Sequence, residues 1–329
     1  MVPMLDASLR PLGFSVSAEA AEFRTSPESR TDSLVERVLY TMAIGEDSIR
    51  SIRFPERECC SDPDAGLGAV ASNGEIWWYD LGNTNIKVFD STGCRVVPGL
   101  GDCGIPVDMA VNASAVYLLF DQTLDPIRFL VYTRAHSDTA WRPVPFFYGP
   151  SGLPPDSIPV TVRNSSGDVG QLYAGPGETI YFHQRLAHES YPIAVGDSVF
   201  SLADQVRLGF EGLPGPDGSR YLTYGGPLYV TSEGAEVEYP MVGNLIGVDG
   251  AGRIYVERYD REGATLEVRT PTSLLAAGTR PQRGNWGGSG AKGLVYILPS
   301  GGLVEFQPTD EQLLISVWGL PLEVRATHD

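Results

Sequence analysis

Residues 74–93 read Gly74-Glu75-Ile76-Trp77-Trp78-Tyr79-Asp80-Leu81-Gly82-Asn83-Thr84-Asn85-Ile86-Lys87-Val88-Phe89-Asp90-Ser91-Thr92-Gly93. Residues 76–79 and 86–89 are runs of β-branched and aromatic side chains, bounded by Asn73-Gly74, Gly82-Asn83 and Ser91-Thr92-Gly93. Branched and aromatic side chains suit a pleated surface, and Gly, Asn and Ser allow tight reversals, so the stretch predicts two antiparallel strands joined by a turn.

Working outward, an aliphatic residue followed by an aromatic one recurs as Ile76-Trp77, Val116-Tyr117, Ile180-Tyr181, Ile254-Tyr255 and Val295-Tyr296, with successive gaps of 40, 64, 74 and 41 residues. A four-stranded blade takes about 40 to 50 residues, so the longest gap has room for one more unit, found at residues 220–224, 228–231 and 236–239. The repeat therefore predicts an all-β chain folded as a six-bladed β-propeller of four-stranded antiparallel blades, closed by a terminal strand. The units span 68–97; 107–111, 115–120, 128–134 and 141–145; 171–174, 179–183 and 199–202; the fourth as above; 245–248, 253–258 and 265–269; and 293–298 with 303–306. Residues 34–44 and 312–320 are the two segments suited to closing the ring. Residues 1–31, rich in Ser, Glu and Pro, read as an extended arm, 32–322 as the propeller and 323–329 as a tail. Helical periodicity is confined to a short stretch at 18–23, and residues 185–197 read as an insertion in the third blade.

The segment 74–93 resembles the NHL-repeat family of propellers, whose Gly, Ile-aromatic pair, Asp, Gly-Asn, Ile, Val-Phe-Asp and closing Gly fall at the same places. It departs from the family at Asn85, where a basic residue is common, and at Tyr79, where a small one is. The resemblance implies a rigid platform for other macromolecules.

Composition limits the partners. The chain has 41 acidic and 24 basic residues, a net charge of −17, and only two lysines, Lys87 and Lys292. Such a field repels polyphosphates, and no basic cluster interrupts it, so nucleic acid is not an expected partner. No run approaches the roughly 18 apolar residues of a membrane helix, and residues 1–12 lack the basic and apolar regions of a signal peptide. Cys59, Cys60, Cys94 and Cys103 are the four cysteines. Their spacing fits no zinc template; they read as two disulfides or as buried free thiols. Disulfides would place the chain in the periplasm or outside the cell, with its leader absent; the other location is the cytoplasm.

Catalytic motifs are sparse. The stretches Gly99-Leu-Gly-Asp-Cys-Gly104 and Gly288-Ser-Gly-Ala-Lys-Gly293 match G-x-G-x-x-G, but neither opens a helix that would hold a pyrophosphate. Only His136, His183, His188 and His328 exist, none at metalloprotease spacing. Asp62-Pro-Asp64-Ala-Gly66 fails the calcium-loop pattern at Gly66 and Asn73. NHL-like amidating lyases and the calcium propellers of the paraoxonase and gluconolactonase type set acidic residues around the channel, for which Asp108 and Asp249 are the weak metal-ligand counterparts here. No cofactor is expected.

Surface features remain. Residues 141–159 form a long proline-rich connection with Trp141, Phe146, Phe147 and Tyr148, and Trp286 stands in a glycine-rich loop; these are the expected partner-binding residues. The expected function is a non-catalytic scaffold, an exported, membrane-extrinsic subunit that stabilises a larger protein complex such as a respiratory or photosynthetic one. The alternatives are a metal-dependent hydrolase or lyase with its site in the channel, and a carbohydrate or small-ligand binder.

Overall fold

The computed structural model describes residues 32–44, 51–52, 66–90, 93–100, 106–122, 128–145, 170–184, 188–215, 218–223, 227–240, 243–260, 263–280, 295–298, 300–308 and 312–319. The chain divides between Arg30 and Thr31, and all described residues belong to the second unit. The expected arm (1–31) and tail (323–329) lie outside them.

Six antiparallel four-stranded sheets stand in a ring, a six-bladed propeller. Blade 1 is Gly66–Val70, Ile76–Asp80, Asn85–Asp90 and Gly93–Pro98. Blade 2 is Pro106–Val111, Ala115–Gln122, Arg128–Ala135 and Arg142–Val144. Blade 3 is Gln171–Ala174, Thr179–Gln184, Glu189–Val195 and Ser198–Val199, with Phe210–Glu211 pairing the start of its third strand. Blade 4 is Leu213–Pro214, Arg220–Thr223, Leu228–Ser232 and Ala235–Tyr239. Blade 5 is Asn244–Val248, Ile254–Asp260, Gly263–Arg269 and Leu274–Arg280. Blade 6 is Val295–Ile297, Leu303–Pro308, Gln312–Gly319 and the N-terminal strand Val35–Ile44. First strands touch first strands between blades 1 and 2, 2 and 3, 5 and 6, and 6 and 1, so they form the inner wall there.

Because blade 1 has a neighbour on each side, its middle strands are buried on both faces. Ile76–Asp80 is buried at every position. Trp77, Tyr79, Ile86 and Val88 pack toward blade 2 with Met109, Leu118 and Phe120. Ile76, Trp78 and Phe89 pack toward blade 6 with Val304, Phe306 and Ile315. Trp78 stacks on Phe306 at 5.1 Å. Gly68 permits that approach, since a Cβ there would lie 2.3 Å from the Phe306 ring. This two-sided burial is why the opening run is continuously apolar rather than alternating.

Within the same blade, Lys87 and Asp80 form an ion pair at 3.3 Å with both side chains 0% exposed. Asn85 lies 3.4 Å from the ammonium, and Asn83 donates to the Asp80 carboxylate through its backbone and side chain. The Asp80 side chain thereby fastens the turn at 81–84 as well as neutralising Lys87.

The aliphatic-aromatic doublet has a structural role in four blades, where it opens the second strand and its aromatic ring reaches the next blade or its approach. Trp77 stacks on His136 of blade 2 at 4.9 Å. The Tyr117 hydroxyl donates to Gly196 O of blade 3 at 2.9 Å. Tyr181 meets Phe210 edge-on at 5.6 Å, ahead of blade 4. The Tyr255 hydroxyl accepts from Gly302 N of blade 6 at 2.6 Å.

Both segments suited to closing the ring are used, paired with each other. Val35–Ile44 runs antiparallel to Gln312–Gly319, from Val35↔Gly319 to Ala43↔Gln312. Just upstream, Asp32–Ser33 adds in parallel to the outer edge of blade 5, and Leu34 N donates to Ala277 O at 3.0 Å. The N-terminal segment thus ties blade 5 to blade 6.

Four expectations are corrected. The insertion expected at 185–197 contains the third strand of blade 3, Glu189–Val195, whose partner residues are set by Thr179–Gln184. Val295-Tyr296 lies on the inner strand of blade 6, one strand earlier than the doublets of the other blades. Blade 5 gains Leu274–Arg280 as its outer strand. A helix, Leu202–Leu208, forms where residues 199–202 were expected to end a strand.

Two predictions follow from closure and from the buried pair. Deleting residues 1–44 exposes the open edge of Gln312–Gly319, so the variant loses its single cooperative unfolding transition and elutes as aggregate in size-exclusion chromatography; deleting 1–31 leaves every described strand in place and keeps the transition. Lys87→Met strands a buried carboxylate and costs about 3 to 5 kcal/mol by urea unfolding, while Asp80→Leu combined with Lys87→Met recovers most of that loss.

Candidate functional site

The inner wall gathers polar groups from four blades. Asp108 of blade 2, 8% exposed, accepts from Met109 N at 2.8 Å and, across the seam, from Leu172 N of blade 3 at 2.7 Å. Tyr296 of blade 6 sits near it: burial, then the Asp108 charge, holds its phenol well above the ordinary value, opposed by a hydrogen bond from Gly68 of blade 1. Tyr173 of blade 3 donates to Gln171 Oε1 at 3.1 Å and lies edge-on to His183 at 5.6 Å. The Asp108 carboxylate thus joins two blades, and its charge is met by two backbone donors.

Next to this wall, His183 Nδ1 lies 2.9 Å from Ser190 Oγ, a spacing that suggests a nucleophile and its base. The proton directions say otherwise. Ser190 gives its one hydroxyl proton to Gly212 O, so Nδ1 must itself donate to Ser190 Oγ. A histidine that donates to a serine cannot take its proton, and Ser190 is fully buried. The pair holds the residues before blade 4 against blade 3.

Asp249 has a comparable structural task. It follows the inner strand of blade 5 and is 1% exposed. Its Oδ1 accepts from Ala251 N and Arg253 N, both at 2.9 Å, and its Oδ2 from Arg253 Nε at 2.7 Å and Tyr255 at 3.1 Å. Since Tyr255 accepts from Gly302 N, the carboxylate indirectly anchors blade 6. Asn112 stands at the matching place in blade 2, capping its own turn through Ser114 N and Ala115 N and donating to Glu178 O and Gly196 O of blade 3. Neither Asp108 nor Asp249 belongs to a cluster of three or more metal-ligating side chains among the described residues.

The outer face of blade 3 is of a different kind. Ser201 caps the helix Leu202–Leu208, accepting from Asp204 N at 3.1 Å. A surface helix ordinarily buries its apolar stripe. Here Gln205 is 0% exposed, and its amide donates to Pro145 O at 2.9 Å and Phe200 O at 3.1 Å. Leu202 and Val206, one turn apart, are each 49% exposed, and Val195, Val199 and Leu208 are exposed around them. Asp204 and Arg207 pair at 2.8 Å, so their charges offset one another on this helix. The signal in the sequence was Ser201 followed three residues later by Asp204, a helix-start pattern.

Of the expected partner-binding residues, Trp141 is described: it is half-buried and packs against the core between blades 1 and 2. Phe146, Phe147, Tyr148 and Trp286 lie outside the described residues, as do Cys59, Cys60 and Cys103. Cys94 is exposed on the outer strand of blade 1 and carries a free thiol, so it takes no part in the expected disulfides. Burial raises its pKa, opposed by the charge of Lys87, reinforced by that of Asp90 and opposed again by that of Arg95.

No family model and no curated protein matches the chain in sequence. Among solved structures it is similar to virginiamycin B lyase from Staphylococcus aureus, at 10% identity over 88% of this chain and 99% of that one, with a TM-score of 0.39. It is also similar to the PQQ-bound form of aldose sugar dehydrogenase from Streptomyces coelicolor, at 13% over 87% and 99%, TM-score 0.39. A third is YCF48 bound to D1 peptide, at 10% over 91% and 89%, TM-score 0.36. Identities and scores of this size assign no function, and the six-bladed ring rests on the strand pairing itself.

Alkaline titration reads the buried phenols. Burial is the largest cause raising Tyr40, Tyr117, Tyr181, Tyr191, Tyr255 and Tyr296. The unfolded chain therefore releases phenolic protons first, at about pH 10, so this contribution to stability is full below about pH 10 and is lost as pH rises through the higher folded values. The urea midpoint should fall between about pH 9 and about pH 11. A midpoint that rises or stays level over that span would contradict the burial of these groups.

Proposed function

We propose that this chain is a non-catalytic propeller that binds another protein through the outer face of blade 3. The observation that carries the proposal is the reversed polarity of the helix Leu202–Leu208, which buries Gln205 and turns Leu202 and Val206 to solvent. Isolated apolar residues are normal on a surface; a helix anchored by its amide with its aliphatic residues outward, packed beside the strand that ends at the exposed Val195, is a surface of the kind that partners cover. Burying a Leu or Val fully is worth about 1.5 to 3 kcal/mol, so two half-exposed residues retain enough unburied surface to matter in an interface. The near-neutral Asp204–Arg207 pair lets an apolar protein surface approach despite the net charge of −17.

Leu202→Lys with Val206→Lys tests this. The changes leave Gln205 and its two carbonyl partners untouched, so the unfolding midpoint should stay within a few degrees of the wild type. A partner held by the wild-type protein, when purified from the native source with its neighbours attached, should be lost from the double variant by tenfold or more. Equal retention by both proteins would sink the proposal. So would one stoichiometric calcium or zinc whose removal by chelation abolishes an activity.

A further inference from the structure

The seam between blades 1 and 2 contains a buried cation without a contacting carboxylate. Arg134, on the third strand of blade 2, is 8% exposed. Its Nε donates to Asp138 O at 2.8 Å and its Nη1 to Pro98 O at 3.2 Å, both neutral carbonyls. The Asp138 carboxylate is engaged by Thr139 N, Ala140 N and Arg142 Nη2. Burial and the nearby Arg95 charge both lower the pKa of Arg134, with the Asp138 charge opposing them.

Unused donors stand in the same seam. Trp77, 1% exposed, lies between the Arg95 guanidinium at 5.2 Å and the His136 ring, and its buried Nε1 meets no acceptor. The buried Nε1 of Trp141 meets none either. Trp141 comes one residue before Arg142, which pairs with Thr133, so its backbone lies across from Arg134. Each unmet buried donor costs about 1 to 3 kcal/mol. Two such donors and a buried guanidinium in one seam are groups that an oxygen anion would satisfy. Solvent reaches the seam, for Arg95 is 47% exposed and His136 is exposed.

We propose that this seam binds a carboxylate group, received by Arg134 and by the indole N–H groups of Trp77 and Trp141, with Arg95 at its entrance. The charge count fits one carboxylate. Among the described residues, the three cations Arg95, Arg134 and Arg142 have two carboxylates as partners, Glu75 paired with Arg95 at 3.1 Å and Asp138 paired with Arg142 at 2.6 Å. A carboxylate matches the flat fork of a guanidinium and brings a single negative charge, whereas a phosphate dianion would meet the field of a strongly acidic chain. The site does not depend on the docking face of blade 3.

Indole N–H signals of the nitrogen-15-labelled full chain provide the test, with acetate as the probe and sodium chloride at matched ionic strength as the control. Acetate should move two of the five tryptophan signals along a saturating curve, and Trp141→Phe should remove one of the two. Arg95→Gln should weaken acetate binding about tenfold, and Arg134→Gln should abolish it; Arg95, being half exposed, carries the test if the second variant fails to fold. A peptide with a free terminal carboxylate that binds tighter than both acetate and its own amide would identify a protein terminus as the source; equal affinity for peptide and acetate would identify a free small acid. The proposal is overturned if the shifts are linear, if chloride reproduces them, if Arg95→Gln leaves them unchanged, or if inorganic phosphate saturates where acetate does not.

Discussion

Each seam between blades must exclude water from two sheets at once, and the rest of the structure follows from how that is done. Trp77 and Trp78, adjacent in sequence, point to opposite seams: one packs against blade 2 and the other against Phe306 of blade 6. A sheet so enclosed has no solvent face in its middle strands. Several polar groups there form closed sets, such as Lys87 with Asp80 and Asn85, or Glu305 with Trp318 and Gln307, whereas the buried indole N–H groups of Trp77 and Trp78 meet no acceptor. The same reasoning explains why Asp108 and Asp249, singled out by the resemblance to channel-lined propellers, are occupied by backbone amides, and Asp108 by a neighbouring blade as well: a carboxylate placed at a seam is useful as a joint before it is available for chemistry.

The fold was legible because this burial repeats. Aliphatic-aromatic doublets mark the second strands of blades 1, 2, 3 and 5, and their aromatic rings make the contacts that carry one blade to the next. The pattern slipped at Val295-Tyr296, where the aromatic serves the inner wall and the second strand opens with Leu303-Val304 instead. Outer strands were harder to read. Leu274–Arg280 lies at a blade edge where a neighbour covers only part of it, so its sequence need not be continuously apolar.

The site was less legible, for a physical reason specific to this chain. Patterning rules assume that glutamine faces water and leucine faces the core. The helix Leu202–Leu208 reverses both, so the face most suited to a partner looks like an undistinguished polar stretch. Arg134 escaped notice similarly: nothing in the sequence tells a buried arginine held by carbonyls from a solvated one. Both become visible only when exposure and hydrogen-bond partners are known residue by residue.

Closure of the ring has a consequence for how the protein comes into being. Val35–Ile44 leaves the ribosome before its partner strand, Gln312–Gly319, with the strands of the other five blades made in between. Blades 1 to 5 can form in order as they are made, each on the one before, but the sixth waits for all five. Until then an unpaired ten-residue strand is exposed, and chaperone protection or rapid completion of synthesis decides whether it pairs with its own C-terminal strand or with that of another nascent chain.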